Sequence, residues 1–559
     1  MDRIEPRDLN EMYRAFENAD FYVRKKYRDE LDQYGICDLP EQLVKGLRDD
    51  DSIGNNVQFF RIEKIVYDKA ENNTDKLITV YNTLSSYPDT AIVLVLLADE
   101  DGAELYLGVA QRITQDMKID IGSRGNKAKA LKSSFEANFP GSVCNTNEKA
   151  NASCALQANE IIQRAFDEVK TVSSVAGIAA RRNRDQKENE QFVQGLEKLI
   201  DAMKGKKYTA LFIADCKTAD DIDAICTGYE DIYSCLYPFL QSVQTIGRTS
   251  GEAATNSFIS GVTQTTNESI AKTNSTSHTL GKTSSDTVGA SVTVGGNSGF
   301  FPGPSASVSA NYSHSWGRSE SDTKQEGKTT TQGSSKSLNE QNSVAKSITK
   351  ATNEGVQITY QNRAVKTLLD VIDEQIKHLR LCEAYGVYDF GAYFLSEDSS
   401  VAETVASVYD SLMRGDESGA EISSVNTWRK ESAERVIGYL KRLYHPLIAA
   451  PDLSQKVDKD GKFQIMPVTP STIISGKELA LQMPLPKKSV SGLPVSHCAE
   501  FGRNVVSLDN SHADESVHLG SIYHMQKAEQ SPVTLDVGSL AMHTFITGST
   551  GSGKSNTIY

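Results

Sequence analysis

Apolar positions along this chain follow two periods. Runs that alternate or stay unbroken between turn residues mark strands, and recurrences at three and four mark helices. Val57 to Tyr67 reads as a strand, a helical piece follows near 74–86, and Ala91 to Ala98 and Ala103 to Val109 read as two more strands. Asp99-Glu-Asp-Gly102 between them is a hairpin signal. Helices are expected at about 128–138, 154–170 and 186–204. Tyr208 to Ala214 is a short apolar strand, and Thr218-x-x-Asp221 then has the form of a capping box. Behind it Ile222, Ile225, Tyr229, Ile232, Leu236 and Phe239 share one helix face. The same strand-then-helix unit returns at Val387 to Leu395, with Ser400-x-x-Glu403 as cap and Val401, Val405, Val408 and Leu412 on the helix. Two such units predict an α+β N-terminal region whose simplest form is a sheet with helices on one face.

Between the units, residues 250–355 are rich in Ser, Thr, Gly and Asn and poor in large apolar side chains. Val288, Ala290, Val292 and Val294 alternate with small polar residues, as do Ala306, Val308, Ala310, Tyr312, His314 and Trp316. That period predicts a long β-hairpin. Ile259, Val262 and Ile270 lead out and Val344 and Ile348 lead back, giving an expected arm of two weak antiparallel helices with the hairpin at its tip. An oligomer of such arms would supply the packing that one lacks. The same composition also fits a mobile low-complexity segment, and the Phe300-Phe301 tip a membrane-inserting hairpin. A stronger helix follows, with Val365, Leu368, Leu369, Ile372, Ile376 and Leu379 on its face. Another is expected near 428–443, then a connection to about 468 and a helix capped by Ser475-x-x-Glu478 that ends at Met483-Pro-Leu-Pro486. Short strands at 504–506, 516–522 and 533–537 lead to the end of the sequence, with Asp536 and Gly538 shaping a turn. The organisation reads as 1–249 and 356–450 forming one interrupted α+β domain, 250–355 the arm, 451–530 a linker with a small β region, and 531–559 the start of another domain.

That last segment holds the clearest chemistry. Gly548, four residues, then Gly553-Lys554-Ser555 is the P-loop spacing. Phe545 and Ile546 are expected to end a buried strand, and glycines at 548, 551 and 553 to let the backbone wrap a polyphosphate. Gly548, Ser549, Thr550, Gly551, Ser552, Gly553, Lys554, Ser555 and Asn556 are therefore the candidate ATP-binding residues. Lys554 would reach the β- and γ-phosphates and Ser555 would hold Mg²⁺. Hydrolysis also needs a metal-holding carboxylate and a residue that positions water; in this order of elements both follow the P-loop, so no catalytic residue is assigned. The expectation is the front part of a longer ATPase.

Charge and cysteine content add limits. A net charge of −14 and a pI near 5.3 argue against a broadly basic, nucleic-acid-coating surface, though not against basic loops inside a ring. No apolar stretch of membrane-spanning length occurs, and the N-terminus lacks a signal peptide. The eight cysteines form no Cys-x-x-Cys pair and no zinc-like grouping with His, as expected of a reduced, cytoplasmic protein. The charge run from Tyr22 to Leu31 reads as a solvated helix face and Arg181-Arg-Asn-Arg184 as a surface loop.

Val533-Thr-Leu-Asp-Val-Gly-Ser-Leu-Ala-Met-His543, followed by Thr-Phe-Ile-Thr-Gly-Ser-Thr-Gly-Ser-Gly-Lys-Ser-Asn556, resembles the start of the motor domain in HerA–FtsK superfamily ATPases. Ile473-Ile-Ser-Gly-Lys-Glu-Leu-Ala480, Leu485-Pro486 and Gly492-Leu-Pro494 are similar to the segment before the motor in conjugation ATPases of type IV secretion systems, and Val387 to Arg414 is similar to part of their N-terminal domain. The resemblance implies an α/β RecA-like domain, hexameric rings, ATP bound between subunits, and the pulling of DNA or the driving of protein secretion. It carries the phosphate and Mg²⁺ roles onto Lys554 and Ser555. The Ser/Thr-rich arm and the long front domain depart from HerA helicases, which have a compact barrel there. Related ATPases with elaborate front domains are encoded with nucleases or other effectors in bacterial defence against phage, so a DNA translocase or helicase acting with such a partner is the first expectation. A secretion motor, and an oligomeric scaffold switched by ATP, are the alternatives.

Overall fold

The computed structural model describes residues 19–24, 31–40, 56–68, 71–87, 89–112, 121–144, 151–180, 195–237, 240–245, 345–351, 355–415, 424–449, 467–498, 502, 516–540, 545 and 547–552. The chain begins its regular structure with β1 (Val57–Asp68), α1 (Asn73–Asn82), β2 (Thr90–Ala98), β3 (Ala103–Gln111), α2 (Ile121–Asn138) and β4 (Val143–Cys144). Next come α3 (Asn151–Asp167), β5 (Thr171–Ala176), α4 (Leu196–Ala202), β6 (Tyr208–Lys217), α5 (Ala219–Leu236) and β7 (Gln241–Thr245). After residue 344 follow β8 (Ala345–Ala351), β9 (Gly355–Gln361), α6 (Arg363–Cys382), β10 (Val387–Ser396), α7 (Ser399–Met413), β11 (Ser424–Arg429) and α8 (Lys430–Leu440). The remainder is β12 (Ile448–Ala449), β13 (Pro467–Val468), β14 (Thr472–Ser475), α9 (Gly476–Gln482), β15 (Val495–Cys498), β16 (Ser516–His524), β17 (Lys527–Asp536) and α10 (Val537–Leu540).

Ten strands form one sheet with the path β11-β5-β10-β6-β2-β3-β1-β15, β14 pairing with β10 and β4 with β1. Every pairing is antiparallel except β1 with β15. The hairpin predicted at 99–102 joins β2 and β3, with the Asp99 carboxylate accepting from the amides of Asp101 and Gly102 at 2.9 Å. Both faces of the sheet are covered, which corrects the one-faced expectation. Val93, Val95, Leu211, Ile213, Tyr393 and Leu395 join a core with α3, α5, α6 and α8. Their alternate neighbours Ile92, Leu94, Ala210, Phe212, Phe390 and Phe394 join a second core with α1, α2, α4, α7 and α9. The unbroken apolar run of β2 is the signature of a strand buried on both sides. In the second core Phe212, Phe394 and Tyr409 meet in one edge-to-face and two tilted pairs with centroids 5.1–6.0 Å apart, adding about 0.5–1.5 kcal/mol per pair to the burial.

The capping boxes at Thr218 and Ser475 form as read, each closed by a reciprocal side-chain and backbone pair. The cap ahead of α7 lies two residues earlier than predicted: Asp398 accepts from the Ser400 amide at 2.8 Å, and Ser399 reaches Glu403 at 2.7 Å. Part of the stretch expected as linker lies in the sheet through β14 and β15. The returning limb of the arm is also different. Residues 345–351 and 355–361 are strands β8 and β9, joined with β7 in the order β7-β9-β8, where Val344 and Ile348 had suggested a helix. β-branched residues at 348, 349, 356, 358 and 359 favour this extended backbone. The hairpin readings at 288–294 and 306–316, the helix reading at 259–270, the Arg181–Arg184 cluster and the strand at 504–506 lie outside the described residues.

β16 and β17 form a separate two-stranded ribbon. Its tip, Met525-Gln526, has φ of +47° and +63°, the turn that matches the twist of a tight hairpin. His524 and Met525 are buried where the tip meets the sheet domain: the Lys64 ammonium donates to the Gln526 side-chain carbonyl, and a Cβ on Gly141 would lie 1.7 Å from the Met525 carbonyl oxygen.

Candidate nucleotide-binding site

The ribbon delivers the chain through α10 to the P-loop, of which Gly548 to Ser552 are described and Gly553, Lys554, Ser555 and Asn556 are not. The Ser552 amide donates to the Ser549 carbonyl at 3.2 Å, closing a four-residue turn. Gly551 is its third residue, at φ +86°, the position where this kind of turn requires a left-handed backbone. Among the described residues, nothing lies within 4 Å of where its Cβ would stand. Glycine is thus needed here for its dihedral angle, and the space beside the turn is open. Residues 547–552 are all exposed. An open turn of small residues, offering backbone N–H groups in front of a Lys-Ser pair in the sequence, fits a polyphosphate. Phe545 departs from the prediction. It is 89 % exposed and belongs to no described strand, so the strand-ending role expected of it is not seen.

A second constellation of polar groups lies inside the sheet domain, and sequence reasoning missed it. Arg112, at the end of β3, donates through Nε to Asp215 of β6 at 2.5 Å and through Nη1 to the Leu443 carbonyl at 2.5 Å, and stacks 4.2 Å from the Tyr444 ring centroid. His445 Nε2 points at the Asp389 carbonyl, 3.3 Å away, and at Asp215 at 3.4 Å. A carbonyl only accepts, so Nε2 carries the proton. The other ring nitrogen, Nδ1, then accepts from the Tyr393 hydroxyl at 2.6 Å. Burial pushes the His445 pKa below its ordinary value, against the pull of Asp215 and Asp389, and this keeps the imidazole neutral. Burial first, then the same two carboxylates, hold the Tyr393 hydroxyl protonated. Gly391 clears the space, since a Cβ there would stand 3.0 Å from the His445 ring and 2.7 Å from the Tyr393 oxygen. The members are buried, so the network fastens β3, β6, β10 and the segment after α8 to one another. Its five residues come from distant parts of the chain, and no spacing announces them.

Four of the cysteines, Cys144, Cys216, Cys226 and Cys382, are buried, and the seven described side chains are free thiols. Burial raises the Cys144 and Cys216 thiols to about 12 each, which suits the inert packing role read from sequence. Cys382 is the exception to the reading that no cysteine groups with a histidine: His378 and, from α9, Glu478 come to its side.

A family model described as Helicase HerA, central domain, matches residues 517–559, which takes in the ribbon, α10 and the whole P-loop. No curated protein and no solved structure matches the chain. The family match supports a HerA-like ATPase, and with it nucleotide binding, as the class to which this part of the chain is similar. Among the described residues no helix is long and apolar enough to cross a membrane.

Proposed function

We propose that this chain is part of a ring-forming ATPase of the HerA–FtsK type that translocates DNA, with the sheet domain serving as the platform for assembly and for a partner such as a nuclease. The observation that carries this reading is the coincidence of the HerA central-domain match at 517–559 with the P-loop spacing and its left-handed turn at Gly551. The backbone from Gly548 to Gly553 would hold the phosphates, Lys554 would reach the β- and γ-phosphates, and Ser555 would hold Mg²⁺. Bound ATP would supply the transferable phosphoryl group, and Mg²⁺ would neutralise its charge. The loop's part is to fix that group's place, by donors whose positions the turn sets before binding.

The test is ATP binding by the full-length protein in the presence of Mg²⁺, followed by ATPase activity with and without duplex DNA. Lys554→Ala should abolish binding, and the unmodified protein should hydrolyse ATP faster with DNA present and run as a ring in mass photometry. ATP binding that survives Lys554→Ala would overturn the nucleotide site. Hydrolysis indifferent to DNA would overturn the cargo and turn attention to a protein-secreting motor.

A further inference from the structure

α6 carries His378 and Cys382 four residues apart, so both side chains leave the same face one turn from each other. α9 brings Glu478 to meet them. That glutamate is the third residue of its helix, and its Oε2 is already fixed by the Ser475 amide at 2.7 Å and the Ser475 hydroxyl at 2.9 Å. Oε1 is left to face His378 Nε2 at 2.9 Å. The Cys382 sulfur stands 3.5 Å from the same Nε2 and 3.9 Å from Glu478 Oε2. One donor atom from each residue therefore converges on one small volume, all within 4.8 Å of one another.

An ordinary His–Glu pair needs no third partner, and a catalytic Cys–His–Glu relay would place the thiol and the carboxylate on opposite ring nitrogens. Here both crowd the same nitrogen: its proton goes to Glu478 Oε1 at 2.9 Å, and the weakly donating thiol reaches Oε2 across a long 3.9 Å. An ion at the centre would satisfy all three. Ligands held by the ~2.0–2.3 Å bonds of tetrahedral zinc stand roughly 3.3–3.7 Å apart; His378 Nε2 lies 2.9 Å from Glu478 Oε1 and 3.5 Å from the Cys382 sulfur, and the sulfur approaches the other carboxylate oxygen, Oε2, at 3.9 Å. Sulfur, imidazole nitrogen and carboxylate oxygen together suit zinc better than the hard cations, which prefer oxygen alone. The His378 and Glu478 side chains keep 21 % and 19 % exposure, which opens a path for the ion and a position for a water as fourth ligand. α6 belongs to the first core and α9 to the second, so the three residues join the two helical layers.

We propose that His378, Cys382 and Glu478 form a zinc site that clasps α6 to α9. The full-length protein, stripped by chelator and equilibrated with Zn²⁺, should retain one tightly held ion per chain by mass spectrometry of the metal and melt at higher temperature than the stripped form. Co²⁺ in place of zinc should give a sulfur-to-metal charge-transfer band. His378→Gln and Cys382→Ser should each weaken zinc binding at least tenfold, and Cys382→Ser should remove the band. Cys37→Ser, away from the cluster, should change neither. Glu478→Gln keeps a helix cap while removing the carboxylate, so it should fold and still bind more weakly; it decides the matter where the cysteine variant is unstable. Zinc retention equal in the unmodified protein and in all three variants, or no retention at all, would overturn the site.

Discussion

Strands β10 and β17 have the same length and both pair antiparallel, yet they live in opposite surroundings. All ten residues of β10 are buried, and no residue of β17 is. β10 sits between two helical layers and holds Asp389 and Tyr393 in the polar network; β17 is one half of a ribbon that exposes Leu519, Tyr523 and Leu535. A two-stranded ribbon is marginal by itself in water. What holds this one is its tip, where Met525 is seated against Gly141. A strand's stability is thus decided by what covers it, and the two regions should yield to different substitutions.

The largest effect is expected in the sheet. Arg112→Met leaves the Asp215 carboxylate buried without its cation and should lower the unfolding free energy by about 3–5 kcal/mol, read in a urea titration. Hydrogen exchange in the ribbon should rise only with global unfolding. Gly141→Ala reverses this pattern. Glycine stands there at φ +84°, so alanine costs about 1–2 kcal/mol in the turn, and its methyl drives the Met525 carbonyl away. Amides at 521–528 should lose exchange protection while those of β10 keep theirs. Equal loss in both strands would end the distinction between the two regions.

Acid should also act on the sheet first. The pKa of His445 is depressed in the folded chain, so unfolding takes up a proton below the ordinary value of 6.5. Its contribution is present above that pH and is lost as pH falls through the depressed value, with a slope of up to about 1.4 kcal/mol per pH unit. His445→Gln should flatten that part of the stability profile measured from pH 7 downwards. The smallest effect is expected for Thr218→Ala, which removes one half of a capping box and should cost about 1 kcal/mol in a thermal melt without altering the ribbon.

The elements that local pattern controls were legible. The β2–β3 hairpin, the boxes at Thr218 and Ser475 and the apolar stripe of α6 each depend on residues a few positions apart. The P-loop spacing is local in the same way, and the structure adds that Gly551 is required by its dihedral angle. The number of covered faces could have been read from Ala91 to Ala98, because a strand with one wet face alternates and this one does not. Partners across the chain carried no such signal. Arg112 meets Asp215 across 103 positions and His378 meets Glu478 across 100, so only the sheet's topology brings them together. Phe545 fails differently: its apolar neighbours suggested a strand, but a strand needs a partner, and none pairs with it among the described residues.

The three-stranded sheet sets a rule for protein engineering. β7 and β8 flank β9, and their registers place Thr245 opposite Gln357 but Ala345 opposite Gln361. The exit and the return are therefore offset by four residues along β9 and by two strand spacings across it, roughly 17 Å in all. A graft that replaces the intervening stretch must bridge that diagonal with a linker of about five or more extended residues. A cut carried to residue 355 would remove β8 and uncover one edge of β9, so it would report on an unzipped edge as much as on the missing stretch.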